Sequence, residues 1–200
     1  MRVRHGRNAA GETVAFSVTA LAETACADAI DLSYPSGATF HDPETHRYVL
    51  WRTWARTDDG WPSPGRMCAF IGLNPSTADE NDPDPTVTRC INRAKSLGYG
   101  GMFMLNLFAY RETEAALMRK HPEPVGPFND MLIRHVCGIS SRIICCWGAH
   151  GSHLGRSAQV KEWLLPLFRE KLDCLGRTQA GEPKHPLYLR SDLVPERFAD

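Results

Sequence analysis

The chain has 200 residues, 42% of them hydrophobic, which suffices for one well-buried domain and is short for two. Lys plus Arg and Asp plus Glu number 23 each, so no global positive field supports sequence-blind nucleic-acid binding, and any basic surface must be local. Seven cysteines, an odd number with no Cys-x-x-Cys pair, argue against a disulfide framework and for reduced thiols in a cytoplasm.

Residues 1–35 open with Arg2, Arg4 and Arg7 and run into an Ala- and Thr-rich stretch of weak period. That pattern leaves a short helix or a mobile segment there, and places one α/β domain over residues 36–200. The stretch from Thr13 to Ile30 is broken by Glu23 and Asp28 and lacks a cleavage signal. A soluble, unexported protein with no membrane partner is expected. Thr39-Phe40-His41 and Tyr48 to Trp54 flank Asp42-Pro43, where turn residues predict an antiparallel hairpin on a sheet edge. Asp58-Asp59-Gly60 and Pro62 to Gly65 then form a loop into Met67 to Leu73, an unbroken apolar run of the kind buried on both faces. Pro75 cannot donate to a ladder and biases Asn74 away from helix, so that strand ends there.

Asp82-Pro83-Asp84-Pro85 supplies cap chemistry, and Val87, Cys90, Ile91, Ala94 and Leu97 recur at helical spacing up to Gly98. Asp79, Glu80, Asp82 and Asp84 suit a helix start, where carboxylates complement the N-terminal dipole; the alternative is a metal-binding or water-activating cluster. Cys90, on an apolar helical face, reads as packing. Met102 to Ala109 is a second buried strand, interrupted by Asn106. Helical patterns follow over Glu112 to Lys120 and Asn129 to Ile139, then a third strand from Arg142 to Trp147, a helix from Ala158 to Lys171, and a last strand at Leu172 to Leu175. Alternating strands and helices predict a mainly parallel, right-handed sheet flanked by helices.

Asn74, Asn106, the Trp147 to Gly151 segment and His185 each lie within or just past an apolar run. Parallel strands gather such residues at one rim, and two side-chain amides with an imidazole form a convergent polar site there. Arg111, His150, His153, Arg156, Lys161, Lys184 and Arg190 would suit a phosphate backbone at that rim. No Gly-x-Gly-x-x-Gly, Walker or Gly-x-Ser-x-Gly pattern is present, so neither a nucleotide cofactor nor a serine nucleophile is expected.

The order of these clusters resembles the uracil-DNA glycosylase superfamily. Gly72-Leu-Asn-Pro75 resembles the Gly-x-Asn-Pro motif of its mismatch-specific branch. Met104-Leu-Asn-Leu-Phe108, Trp147-Gly-Ala-His150 and Lys184-His-Pro-Leu187 are similar to the Leu-Leu-Asn, Trp-Gly-Ser-His and His-Pro-Ser-Pro-Leu segments of the uracil-specific branch. From Phe40 to Leu189 the pattern also closely resembles a bacterial family known only as a domain of unknown function. The first resemblance implies a three-layer α/β/α sandwich and a metal-independent, cofactor-free enzyme. It would flip a uracil or 5-modified pyrimidine out of single-stranded or duplex DNA and hydrolyse the N-glycosidic bond with water. Carried over residue by residue, Asn74 positions the water and His185 donates to the departing base. Asn106 reads the Watson–Crick edge, with Leu73, Pro75, Ser76, Phe108, Trp147, His150 and Lys184 around the substrate and Arg111, Arg156 and Lys184 on the backbone.

The departures are informative. Ser76 stands where the uracil-specific branch has a tyrosine that excludes a 5-methyl group, which implies a pocket open to 5-substituted pyrimidines. Leu187-Tyr188 replaces the second half of the His-Pro motif, so the family's minor-groove wedge is in question. A stacking phenylalanine has no direct counterpart, leaving Phe108, Tyr110 or Trp61 for that part. The four-cysteine signature of the iron–sulfur branches is absent. Two other readings stand beside the enzyme: a non-catalytic binder of modified bases, and a hydrolase of free nucleosides or nucleotides.

Overall fold

The computed structural model describes residues 1–7, 13–17, 28–41, 43–55, 66–76 and 81–198. Asp79, Glu80 and Trp61 lie outside the described residues. The strands in chain order are β1 (Arg2–Arg7), β2 (Thr13–Ser17), β3 (Ser36–Phe40), β4 (Arg47–Thr53), β5 (Met67–Gly72), β6 (Gly101–Asn106), β7 (Arg142–Cys145), β8 (Leu172–Cys174) and β9 (Glu196–Arg197). They form one mixed sheet in the order β2-β1-β3-β4-β6-β5-β7-β8-β9. The helices are α1 (Pro85–Ser96), α2 (Ala115–Met118), α3 (Asn129–Ile139) and α4 (Arg156–Phe168). No helix among the described residues is long and apolar enough to cross a membrane.

The apolar runs do become the buried centre. Every residue of β5 and β6 is buried, the two run parallel, and β5 pairs in parallel with β7 as β7 does with β8. The expectation of a mainly parallel sheet is nevertheless corrected. The pairings β1·β2, β1·β3, β3·β4, β4·β6 and β8·β9 are antiparallel and outnumber the parallel ones. Composition reports that a strand is buried on both faces but not the direction of its neighbour, and β4 meets both conditions while antiparallel to β6.

The β3–β4 hairpin forms, yet it lies inside the sheet rather than on its edge. Residues 1–35, expected to be a short helix or mobile, supply β1 and β2 instead, and β1 pairs with β3. His5 stacks on Tyr34 with ring centroids 4.0 Å apart, which covers this extension.

Helix α1 begins as its sequence predicts. Pro85 occupies the first turn and the Asp84 carboxylate accepts from Val87 N–H at 2.7 Å. It ends at Gly98, whose left-handed backbone (φ 81°) lets Tyr99 N–H reach Ala94 O at 3.0 Å. Val87, Cys90 and Ala94 face one side of the sheet and pack with Phe70, Met102 and Met104. Helices α3 and α4 cover the other side through Leu132, Val136, Val160 and Leu164. All six cysteines among the described residues are buried and free, as reduced packing residues should be.

Beside the hairpin, His46 is enclosed by Tyr48, Tyr110, His41 and His121. Its Nε2–H donates to Glu123 O at 2.9 Å and its Nδ1 accepts from the Thr45 hydroxyl at 2.9 Å, an arrangement of the neutral ring. Burial holds its pKa below the ordinary 6.5, against the Glu123 hydrogen bond, and nearby His121 and His41 lower it further. Between that lowered value and 6.5 the unfolded chain binds a proton that the folded chain refuses. Stability is therefore full above the unfolded value and declines as pH falls through this window. His5, His135 and His185 are shifted in the same direction by desolvation. Thermal unfolding should show a midpoint that drops between about pH 7 and pH 5, with a shallower drop in His46→Gln. An equal slope in that variant would remove His46 from the account.

Candidate functional site

Because β6, β5, β7 and β8 are parallel, their carboxyl ends share one rim. The chain leaves β5 through α1 to β6 on one side, and later takes up β7 on the other, which makes β5 the point where the winding reverses. Such a reversal opens a crevice beyond the strand ends. A cleft of about 670 Å³ lies there, within the size range of small-molecule sites.

Three loops are stitched together to make its walls. Leu107 N–H and Phe108 N–H reach Gly72 O and Leu73 O, both at 2.9 Å, and Cys146 N–H reaches Ile71 O at 2.8 Å. Asn74 Nδ2 donates to Glu112 O at 2.6 Å and to Pro75 O at 3.2 Å, and Glu112 N–H returns to Pro75 O at 2.8 Å. Asn74 thus holds the loop after β5 against the chain leaving β6, and its amide oxygen takes no part in that contact.

Asn106, the last residue of β6, lines the cleft at 1% exposure. Its backbone carbonyl accepts from Asn129 Nδ2 at 3.0 Å, but neither its own Nδ2 nor its Oδ1 has a hydrogen-bond partner among the described residues. Each such orphan costs roughly 1–3 kcal/mol if nothing satisfies it. Gly72 makes room for this amide: a Cβ there would lie 2.8 Å from Asn106 Oδ1 and 2.6 Å from Met104 Cε.

The start of α1 and the loop after β8 also line the cleft. Ser76 Oγ donates to one oxygen of Asp84, while the other caps Val87. His185 Nδ1 accepts from Leu187 N–H at 3.4 Å, which leaves the neutral ring's proton on Nε2. Desolvation lowers the His185 pKa and the nearby Asp84 charge partly restores it. His185 is therefore a neutral donor at pH 7. Arg93, buried in α1, donates to Arg190 O at 2.7 Å and to Leu193 O, and so anchors the stretch that follows His185.

Trp147 forms the third side. Its indole N–H donates to Glu182, which also accepts from Ser157 Oγ at 2.7 Å and lies 3.5 Å from Lys161 Nζ. Gly148 adopts a left-handed backbone (φ 73°) and donates to Pro183 O at 2.8 Å, joining the loops after β7 and β8. His150 stands at the rim with Nδ1 2.8 Å from the Arg119 guanidinium.

Leu73, Asn74, Ser76, Asn106, Trp147, His150 and His185 thus line one cleft, although they come from separate parts of the sequence. The other expected residues stand elsewhere. Phe108 is fully enclosed in the core, Pro75 contributes backbone to the loop stitching, and Lys184 is exposed and is not part of the cleft lining. Arg156, expected on a nucleic-acid backbone, is 2% exposed and ties α4 to the end of β6 through Leu107 O at 2.9 Å and through Asp130. Arg111 lies beside Glu44 and over the Phe40 ring at 5.1 Å and is not part of the cleft lining. Arg47, Asp84, Glu112 and Tyr188 line the cleft without having been picked out for it. The sequence favours Asp84 as part of a helix start, with a metal-binding or water-activating cluster as the alternative, and nothing near Arg47 in the sequence hints that β4 abuts β6.

A family model described as a protein of unknown function (DUF1643) matches residues 47–187. That span contains every cleft-lining residue named above except Tyr188. No curated protein and no solved structure matches the chain.

Proposed function

The chain belongs to the DUF1643 family, and from that premise we propose that it is a nucleobase N-glycosidic hydrolase acting on pyrimidine nucleotides in DNA. The observation that carries this reading is the Asn106 amide: buried, flat, and offering one unused donor beside one unused acceptor. A pyrimidine edge presents the complementary acceptor and donor at the same spacing, so a bound base would relieve both orphans at once. The order of the motifs, with its resemblance to the uracil-DNA glycosylase superfamily, favours the same class.

Breaking a sugar–base bond leaves positive charge on the sugar and negative charge on the base. A neutral His185 with its proton on Nε2 suits the second of these, since a fixed donor aimed at a developing anion needs no reorganisation. Asn74, with its nitrogen committed to Glu112 O, keeps an oxygen with which to orient water. The base would leave the helix stack to enter the cleft, so single-stranded or mispaired DNA should react faster than paired duplex.

The test is release of free base, with detection of abasic sites, from oligonucleotides carrying uracil or several 5-substituted pyrimidines. With Ser76 rather than a bulky aromatic on the wall, a 5-substituted base is expected to be released faster than uracil, and Ser76→Tyr should reverse that order. Equal or better activity on plain uracil would remove the 5-substituent reading. Salt-sensitive binding without release would leave a non-catalytic reader of modified bases, and release from free nucleosides alone would exclude a polymeric substrate.

A further inference from the structure

We propose that the Asp84 carboxylate is the general base of the cleft, taking the proton of the water that attacks the sugar carbon; this rests on the glycosidic reading above. Motif comparison does not supply this group. Asn74 can orient a water, but an amide has no site basic enough to accept its proton.

An aspartate at a helix start is ordinarily a cap and nothing more, and one oxygen of Asp84 does serve Val87 N–H at 2.7 Å. The other oxygen is engaged differently, by the Ser76 hydroxyl on the loop that ends β5. Two donors from separate elements fix the carboxylate plane, which a cap does not require. Asp84, Ser76, Asn74 and His185 all line the cleft, and Asp84 is close enough to His185 for its charge to act on that ring. Independently, the unpartnered and buried Asn106 amide in the same cleft marks where a ligand sits. With the base on Asn106, the sugar would lie toward the mouth, between the loop bearing Asn74 and the start of α1.

In the step, the water oxygen bonds to the sugar carbon while the carbon–nitrogen bond breaks and its electron pair passes to the base nitrogen. The water proton goes to an Asp84 oxygen. His185 Nε2–H hydrogen-bonds the departing base, which takes a proton from solvent as Asp84 returns its own. No oxidant, metal or cofactor is needed for the balance. The carboxylate also faces the positive charge that develops on the sugar.

Asp84→Asn is the discriminating variant, because asparagine caps helices about as well as aspartate and should leave folding intact. The turnover constant for base release should fall about a hundredfold or more, the scale of general-base assistance, while KM stays within about twofold and the melting midpoint holds. Undiminished turnover would overturn the assignment. So would a loss of turnover accompanied by a raised KM or a lowered melting midpoint, which would make Asp84 a structural cap. Asp84→Ser, which also caps, repeats the comparison should the asparagine variant misfold. A wild-type chain that releases no base from any oligonucleotide or free nucleoside would overturn this inference and the glycosidic reading together. An active wild type with an equally active Asp84→Asn overturns this inference alone.

Discussion

Alanine at His185 should lower the rate of base release by about 10²–10³-fold, equivalent to ~3–4 kcal/mol of transition-state stabilisation. The size follows from the state of the ring. Burial keeps the imidazole neutral, and the Leu187 N–H on Nδ1 leaves Nε2 as the donor. A pre-aligned, partly desolvated donor interacts more strongly with a forming anion than water would, and its loss falls mainly on the chemical step. His185→Gln should recover part of the rate, because the glutamine amide restores an N–H near Nε2. If the alanine variant released base at the wild-type rate, His185 would be no more than the start of the Pro186–Tyr188 turn.

Trp147→Ala is expected to cost about 3–5 kcal/mol in stability, measured as a shift of the chemical denaturation midpoint. The indole is almost fully buried and meets Phe198 edge-on at 5.7 Å. The loop after β7 lies directly on it: a Cβ at Gly151 would come within 2.1 Å of the ring. Truncation would open a void beneath that loop and remove one donor from the buried Glu182 carboxylate, leaving it with Ser157 and Lys161. Trp147→Phe, which fills part of the volume but carries no N–H, should lose less. A cost below about 1 kcal/mol for the alanine variant would mean that the loop collapses onto the cleft without needing the indole.

Both predictions concern residues whose roles were visible to different degrees before the chain was folded. The ends of β5 and β7 could be located from apolar runs closing in Asn74-Pro75 and Trp147-Gly148, because a buried strand must bury nearly every side chain and a proline or polar residue stops it; the run from Met102 to Ala109 reads as strand throughout, whereas β6 ends at Asn106. Helix α1 was as legible, since Asp84, Pro85 and Gly98 mark its limits chemically. The partnership of Ser76 with Asp84 was not, and neither was the burial of Arg156: an arginine beside a Gly-rich loop looks the same in sequence whether it faces phosphate or Asp130. Strand direction was likewise hidden. β1 carries three arginines and gave no sign of a place inside the sheet, which it owes to the exposed edge of β3.

The sequence by itself determined which central segments are buried and that amides and a histidine stand within or just past them, since these follow from local solvation and backbone geometry. The tertiary structure alone decided that those residues line one cleft, that its lining includes a carboxylate, and that the sheet is mixed. Those outcomes depend on which strands become neighbours, a matter of long-range packing that no local pattern encodes.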